Sequence, residues 1–175
     1  AVLPTPWNAK PRLVEIGIKG YVPPATARAP QNLTFLIDTS GSMDEPNKLP
    51  LLKRAFGLLV DTLQPTDTVS IVTYAGSAGV ALKPTPAKDR SAILAAIDQL
   101  AAEGSTDGVD GIALAYRLNA EAKGQGTTNR VILATDGDFN VGIDTPDELK
   151  TFITKERDQG ISLSVLGFGR GNLDD

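Results

Sequence analysis

The stretch FLIDTSGSM, residues 35–43, decides how the chain is interpreted. Its first part belongs to a short apolar run that begins at Leu33 and stops at Asp38, which is typical of a strand buried on both faces. From Asp38 onward the residues change abruptly to carboxylate, hydroxyl and glycine, the composition of a tight polar loop. In open α/β sheets, ligands bind just beyond the carboxyl ends of the strands. We therefore interpret residues 38–42 as part of a ligand site.

Strand and helix patterns alternate through the rest of the chain from residue 32 onward. Leu49, Leu52, Phe56, Val60 and Leu63 recur at three- and four-residue spacing, which predicts an amphipathic helix. Apolar runs predict further strands over 69–74, 79–82, 131–134 and 161–167, and helical periodicity predicts helices over 89–100, 108–123 and 145–158. The alternation predicts an α/β fold, a doubly wound, mostly parallel sheet with helices on both faces.

The first 31 residues have a different character, with prolines at six positions and one alternating apolar stretch. That alternation predicts a half-buried strand over residues 12–21, followed by a semi-rigid linker over 22–31. We expect residues 1–31 to form a flanking element and residues 32–175 to form the main domain. The flanking strand could belong to a second, β-rich module, in which case it would lie apart from the main sheet.

The composition excludes several classes of function. The chain has no histidine and no cysteine, so a Ser-His-Asp triad, a zinc-protease helix and thiolate chemistry are all absent. The net charge of −4 argues against binding nucleic acid through a basic surface, and no apolar run approaches the roughly 18 residues of a membrane span. Any metal in this chain must be held by oxygen atoms.

Three polar clusters follow or precede the predicted elements at what should be one edge of the sheet: residues 38–42, 104–107 and 135–138. Their side chains are carboxylates and hydroxyls, which suit Mg²⁺, Mn²⁺ or Ca²⁺ rather than zinc or copper. The alternating positions of Asp38, Ser40 and Ser42 would let a bent loop direct three side chains toward one point. Asp107, Asp110 and Asp138 are further acids nearby, which we interpret as helix caps or solvent-facing groups.

The stretch 35–43 resembles the signature of the von Willebrand factor type A (vWA) family, and the resemblance extends over essentially the whole chain. The family's metal-ion-dependent adhesion site (MIDAS) combines Asp-x-Ser-x-Ser with a distant Thr and a distant Asp. The matching positions in this sequence are Asp38, Ser40, Ser42, Thr106 and Asp136. The stretches 72–76, 134–142 and 165–169 are similar to the bacterial YfbK-like branch of the family.

The resemblance implies how such a site would work. Ser40, Ser42 and Thr106 would ligate a divalent cation, Mg²⁺ before Mn²⁺ or Ca²⁺, while Asp38 and Asp136 would act largely through bound water. A cation with neutral ligands keeps much of its positive charge and can accept a carboxylate from a protein partner. The resemblance thus implies an adhesion module that is not an enzyme, located in the bacterial cell envelope or secreted.

Family members also continue beyond the strand at 161–167 with a helix, a strand and a closing helix. On that basis we expect a further C-terminal segment in the native protein, whose absence would leave apolar surface exposed. That segment is itself a possible partner of this chain.

Two alternatives remain open at this point. The first is a Mg²⁺-dependent phosphatase with Asp38 as nucleophile, which usually needs a lysine nearby, and the sequence offers no evident candidate. The second is a purely structural role, in which the cation is absent or only stabilises the fold. Phosphate release from an aryl phosphate would separate the first alternative from a binding module.

Overall fold

A computed structural model of the chain describes residues 2–5, 8–14, 17, 28–103, 111–137 and 145–169. Its elements in chain order are the strands β1 (Val2–Thr5), β2 (Asn8–Val14) and β3 (Gln31–Asp38), helix α1 (Leu49–Thr62), strands β4 (Thr68–Ala75) and β5 (Ser77–Pro86), helices α2 (Arg90–Asp98) and α3 (Gly111–Glu121), strand β6 (Thr128–Thr135), helix α4 (Pro146–Asp158) and strand β7 (Ile161–Gly167).

The main sheet has five strands in the order β5-β4-β3-β6-β7. Strand β3 pairs in parallel with both β4 and β6, β6 pairs in parallel with β7, and β5 runs antiparallel at the edge. After β3 the chain forms β4 on one side, and later it forms β6 on the other side. The strand order therefore reverses between β3 and β6, which is where ligands bind in folds of this kind.

Apolar side chains from both faces of the sheet form two hydrophobic cores. Phe35 and Ile37 of β3 belong to the core with α1 and α2, where the ring of Phe35 packs edge-on against Phe56 at a centroid distance of 4.3 Å. Leu36, between them, belongs to the other core with α3, as expected for side chains that alternate along a strand. The predicted fold class, a mostly parallel sheet with helices on both faces, is confirmed.

The helix and strand boundaries show where the sequence patterns were accurate and where they fell short. Helix α4 begins as predicted, because the Thr145 hydroxyl accepts a hydrogen bond from the Glu148 amide and Pro146 follows the cap. Strand β7 has the predicted bounds. Strand β5 is ten residues long rather than four, since its pairing with β4 extends well beyond its apolar centre.

The N-terminal residues contribute a hairpin, in which β1 and β2 pair antiparallel as a two-stranded sheet. The strand predicted over residues 12–21 overlaps β2 only at 12–14. Its remaining positions, apart from Gly17, lie outside the described residues. The division into a flanking element and a main domain stays a prediction.

Strand β7 carries two exposed apolar side chains, Val165 and Leu166.

Within the described parts of the chain, no helix combines the length and the apolar character needed to cross a membrane.

Two glycines in helices should respond in opposite ways to an added methyl group. At Gly57 in α1 an added Cβ would meet no atom within 4 Å, so Gly57→Ala should stabilise the fold by about 0.5–1 kcal/mol through the higher helix propensity of alanine. At Gly111 in α3 the same Cβ would lie 3.2 Å from Cβ of Tyr74 and 3.3 Å from Cδ1 of Leu36. Gly111→Ala should destabilise the fold by about 1–3 kcal/mol through overpacking.

Urea unfolding of the two variants beside the unmodified chain measures both effects. Each variant acts as the control for the other, because both place alanine at a helix position. Equal shifts of the unfolding midpoint in the same direction would show that α3 does not pack against β3 and β4 as closely as described.

Candidate metal centre

The loop after β3 is fixed at both ends by buried apolar side chains. Ile37 precedes it and Met43 follows it, and both are fully buried in the core with α1 and α2. Residues Gly41–Met43 form a single 3-10 turn. Burying Met43 therefore bends the chain back, and the polar residues between the two apolar side chains are held at the sheet edge.

Backbone hydrogen bonds at Thr39 tie this loop to its neighbours. The Thr39 amide donates to the Tyr74 carbonyl at the end of β4, with a distance of 3.0 Å. The Thr39 carbonyl accepts from the Glu103 amide at 2.8 Å. The chain that leads into the second polar cluster, residues 104–107, thus contacts the loop through Glu103.

The loop brings two serine hydroxyls together beside a buried carboxylate. Oγ of Ser40 and Oγ of Ser42 are 3.0 Å apart, and the Ser40 amide donates to Oδ1 of Asp38 at 2.9 Å. Asp38 and Ser40 are buried, whereas Ser42 is exposed. The pair of hydroxyls therefore reaches from the interior to the solvent.

The end of β6 places a second carboxylate at the same edge. Ile37 of β3 is in register with Ala134 of β6, so Asp38 and Thr135 follow as neighbours. The Thr135 hydroxyl donates to Oδ2 of Asp38 at 3.3 Å and accepts from the Gly137 amide at 3.2 Å. Asp136 comes next, with its side chain fully buried, and Gly137 turns the chain with a φ of 111°.

A lysine that the sequence analysis did not identify lies between these groups. Nζ of Lys48 is 3.0 Å from Oδ2 of Asp136, 2.9 Å from the Ser42 carbonyl oxygen and 3.1 Å from Oε1 of Glu45. The hydrogen bond to Asp136 raises the pKa of Lys48 above its ordinary value, although burial acts in the opposite direction. The sequence offered no evident lysine candidate, because Lys48 is 88 residues from Asp136 along the chain, and the structure brings the two together.

Tyr74 lies beneath the site beside Thr135 and Asp38. Burial raises the pKa of the Tyr74 phenol well above its usual range, and the negative charge of Asp38 acts in the same direction. The phenol is therefore neutral at physiological pH, and it adds no charge to the two carboxylates above it.

The structure thus brings four of the five predicted site residues to one edge: Asp38, Ser40, Ser42 and Asp136. Thr106 lies outside the described residues, as do Asp107, Asp110 and Asp138. Across the described parts of the chain, no three acidic side chains converge as a metal-binding cluster. Among the described residues, the groups at this edge that could hold a cation are the two serine hydroxyls and the two acids.

The groups present fit a hard divalent cation. The candidate ligands are all oxygen donors. Two ligands at right angles around Mg²⁺, at its preferred distance of 2.0–2.1 Å, lie about 3 Å apart. The separation of 3.0 Å between the two serine hydroxyls matches that spacing, which is also an ordinary hydrogen-bond distance. Asp38 is already held by an amide and a hydroxyl, so its negative charge is fixed in place near the serines.

Comparison with known proteins decides the family. The family model described as "von Willebrand factor type A domain" matches residues 32–175. The chain belongs to the von Willebrand factor type A family. It is also 42% identical over 172 residues to the uncharacterized protein YfbK of Escherichia coli (strain K12), covering 98% of this chain and 30% of YfbK. The chain therefore spans less than a third of that relative.

Solved structures show the same vWA fold. Proximal thread matrix protein 1 from the mussel byssus, in a structure with a zinc-occupied MIDAS motif, superposes with a TM-score of 0.67 at 21% identity, covering 82% of this chain and 39% of that one. The manganese-loaded TRAP protein of Plasmodium vivax superposes with a TM-score of 0.63 at 20% identity, covering 82% and 59%. The predicted vWA family and its YfbK relationship are confirmed.

The hydroxyl of Thr135 links β3 and β6 at the candidate site, and its removal should destabilise the fold. Thr135→Val keeps the shape of the side chain but leaves Oδ2 of Asp38 and the Gly137 amide without this partner. We expect a loss of about 1–3 kcal/mol in the free energy of unfolding, measured by urea denaturation in EDTA.

The matched control is Thr128→Val, the same substitution at an exposed position of the same strand. It should change the free energy of unfolding by less than about 0.5 kcal/mol. Similar values for the two variants would mean that the Thr135 hydroxyl does not support Asp38.

Proposed function

We propose that this chain is a divalent-cation-dependent protein-binding module whose cation is held by Asp38, Ser40, Ser42, Thr106 and Asp136. The observation that carries the proposal is the pair of serine hydroxyls, 3.0 Å apart, next to buried Asp38 at the point where the strand order reverses. The zinc-occupied MIDAS motif of one fold relative and the manganese-loaded state of another support a cation site of this type.

In this proposal the residues have two kinds of role. The hydroxyls of Ser40, Ser42 and Thr106 ligate the cation directly, while Asp38 and Asp136 supply negative charge from a second layer. The contacts of the acids favour this division, since Asp38 accepts from the Ser40 amide and the Thr135 hydroxyl, and Asp136 accepts from Lys48. The bound cation supplies a Lewis-acidic position for one further ligand.

The proposed ligand is a carboxylate of a protein partner. A cation with neutral hydroxyl ligands retains positive charge, and a carboxylate is the hard anionic side chain that suits Mg²⁺. Ser42 is the exposed member of the hydroxyl pair, so a partner would approach from its side. A further C-terminal segment of the same protein could also supply the carboxylate. A location in the bacterial cell envelope or outside the cell stays a prediction.

The structure contains one feature that favours the phosphatase alternative and others that argue against it. Lys48 provides the lysine that such a site needs, but its ammonium is paired with Asp136. Asp38 would be a poor nucleophile, because it is fully buried and its two oxygens already accept hydrogen bonds. We therefore retain the binding module as the proposed function.

Titration of metal-stripped protein with Mg²⁺, Mn²⁺, Ca²⁺ and Zn²⁺ by calorimetry tests the proposal. We expect saturable binding of one ion, with Mg²⁺ and Mn²⁺ preferred because the donors are hard oxygens. Asp38→Asn and Ser42→Ala should each weaken that binding by roughly tenfold or more.

Two control variants match these substitutions at exposed positions outside the proposed site. Asp44→Asn changes an acid in the same loop, and Ser77→Ala changes a serine on β5. Both should bind the ion like the unmodified chain. Absence of binding by the unmodified chain, or equal losses in the site and control variants, would refute the proposed cation site.

Phosphate release from p-nitrophenyl phosphate in the presence of Mg²⁺ separates the two functions. We expect no release above the buffer background, since the buried Asp38 cannot reach a substrate phosphorus. Turnover that disappears in Asp38→Asn would instead establish the hydrolase.

A further inference from the structure

Lys48 is the residue of this site whose role neither the proposed function nor the family assignment explains. Its ammonium contacts Asp136, the Ser42 carbonyl and Glu45, all within 3.1 Å. Its side chain is only 7% exposed and that of Asp136 is 0% exposed, whereas that of Glu45 is 60% exposed. The ion pair between Lys48 and Asp136 is therefore inside the protein, and solvent screens it little.

The stem of Lys48 is covered as well as its charged end. The residue precedes α1, and its amide donates to the Glu45 carbonyl at 2.9 Å, which fixes the backbone. On the other side an added Cβ at Gly169 would lie 3.4 Å from Cε of Lys48, so the chain after β7 passes close over the lysine. The ammonium is thus held at the site and is not free to swing into solvent.

The charges at this edge can be counted for the described groups. The buried ones are Asp38, Asp136 and Lys48, which together carry one net negative charge. A divalent cation would change this sum to one net positive charge. If position 48 were neutral, the same cation would only balance the two carboxylates. Among these described buried groups, Lys48 therefore decides whether the sum with a bound cation is neutral or positive.

We propose that Lys48 sets the charge of the loaded site, weakening the binding of the divalent cation and strengthening the attraction of the bound cation for a carboxylate ligand. This inference rests on the proposed function. Its physical reason is that Lys48 already satisfies part of the charge of Asp136 and repels a second cation, while its own positive charge adds to the field that an incoming carboxylate meets.

A different role for Lys48 would have the opposite consequence. If the lysine served only to position Asp136, its removal would leave the carboxylate misplaced, and the cation would bind more weakly. The direction of the change in cation affinity therefore distinguishes the two roles.

The test compares Lys48→Met, Lys48→Arg and Lys53→Met with the unmodified chain. Methionine keeps the length of the stem without the charge, and arginine keeps the charge. Lys53→Met makes the same substitution on α1, where Nζ of Lys53 instead contacts the Asp98 carbonyl. Circular dichroism and thermal unfolding in EDTA establish that each variant is folded. Lys48→Met should melt at a lower temperature there, because Asp136 loses its buried cation.

Calorimetric titration with Mg²⁺ is the first readout. Lys48→Met should bind Mg²⁺ about tenfold more tightly than the unmodified chain, as expected for loss of a nearby positive charge. Lys48→Arg and Lys53→Met should show no such gain.

Acetate binding to the Mn²⁺-loaded proteins is the second readout. It is measured through the relaxation of water protons, which changes as acetate displaces water from the ion. The acetate concentration that gives half of the maximal change in relaxation should be about threefold higher or more in Lys48→Met, because the loaded site has lost a positive charge. A lower or equal concentration would contradict the second half of the inference.

The outcomes separate this inference from the proposed function. If the unmodified chain binds Mg²⁺ and Lys48→Met binds it equally or more weakly, the role of Lys48 is refuted and the proposed function stands. If neither protein binds any divalent ion, both are overturned.

Discussion

Two carboxylates are buried at the same end of the sheet, and the rest of the site depends on how they are stabilised. A buried charge without partners costs far more than a fold can tolerate. Asp38 is stabilised by an amide of its own loop and by the Thr135 hydroxyl of β6, while Asp136 is stabilised by Lys48. Two of these donors come from distant parts of the chain, so the acids are stabilised only when β3, β6 and the start of α1 have come together.

The need for donors from distant parts of the chain is met where the strand order reverses, between β3 and β6. Thr135 is 97 residues from Asp38 in sequence, yet the register of β3 and β6 makes them neighbours. That register is maintained by apolar side chains on both faces of β3, since a slip of one residue would exchange Phe35 and Leu36 between the two cores. The core thus determines the geometry of the charges.

Features set by local sequence could be predicted, whereas features that depend on contacts between distant parts of the chain could not. Strand β7 and helix α4 were predicted accurately, because apolar runs and a Thr-Pro cap are local signals. Strand β5 was too short in the prediction, since its length depends on pairing with β4. Lys48 was missed altogether, because its partner Asp136 is 88 residues away and only the folded sheet brings them together. Thr106 lies outside the described residues, so its role is still a prediction.

A site of this kind must satisfy two demands that conflict. Strong negative charge would hold a cation tightly, but the charge of that cation would then be fully balanced and would attract a partner carboxylate weakly. As ligands, the neutral hydroxyls of Ser40 and Ser42 would leave more of the cation's charge uncompensated. The buried ammonium beside Asp136 compensates part of the carboxylate charge, so even less negative charge would remain to compensate the cation. In the proposed site both features would act in one direction, toward a cation that is held less firmly and attracts an anionic partner more strongly.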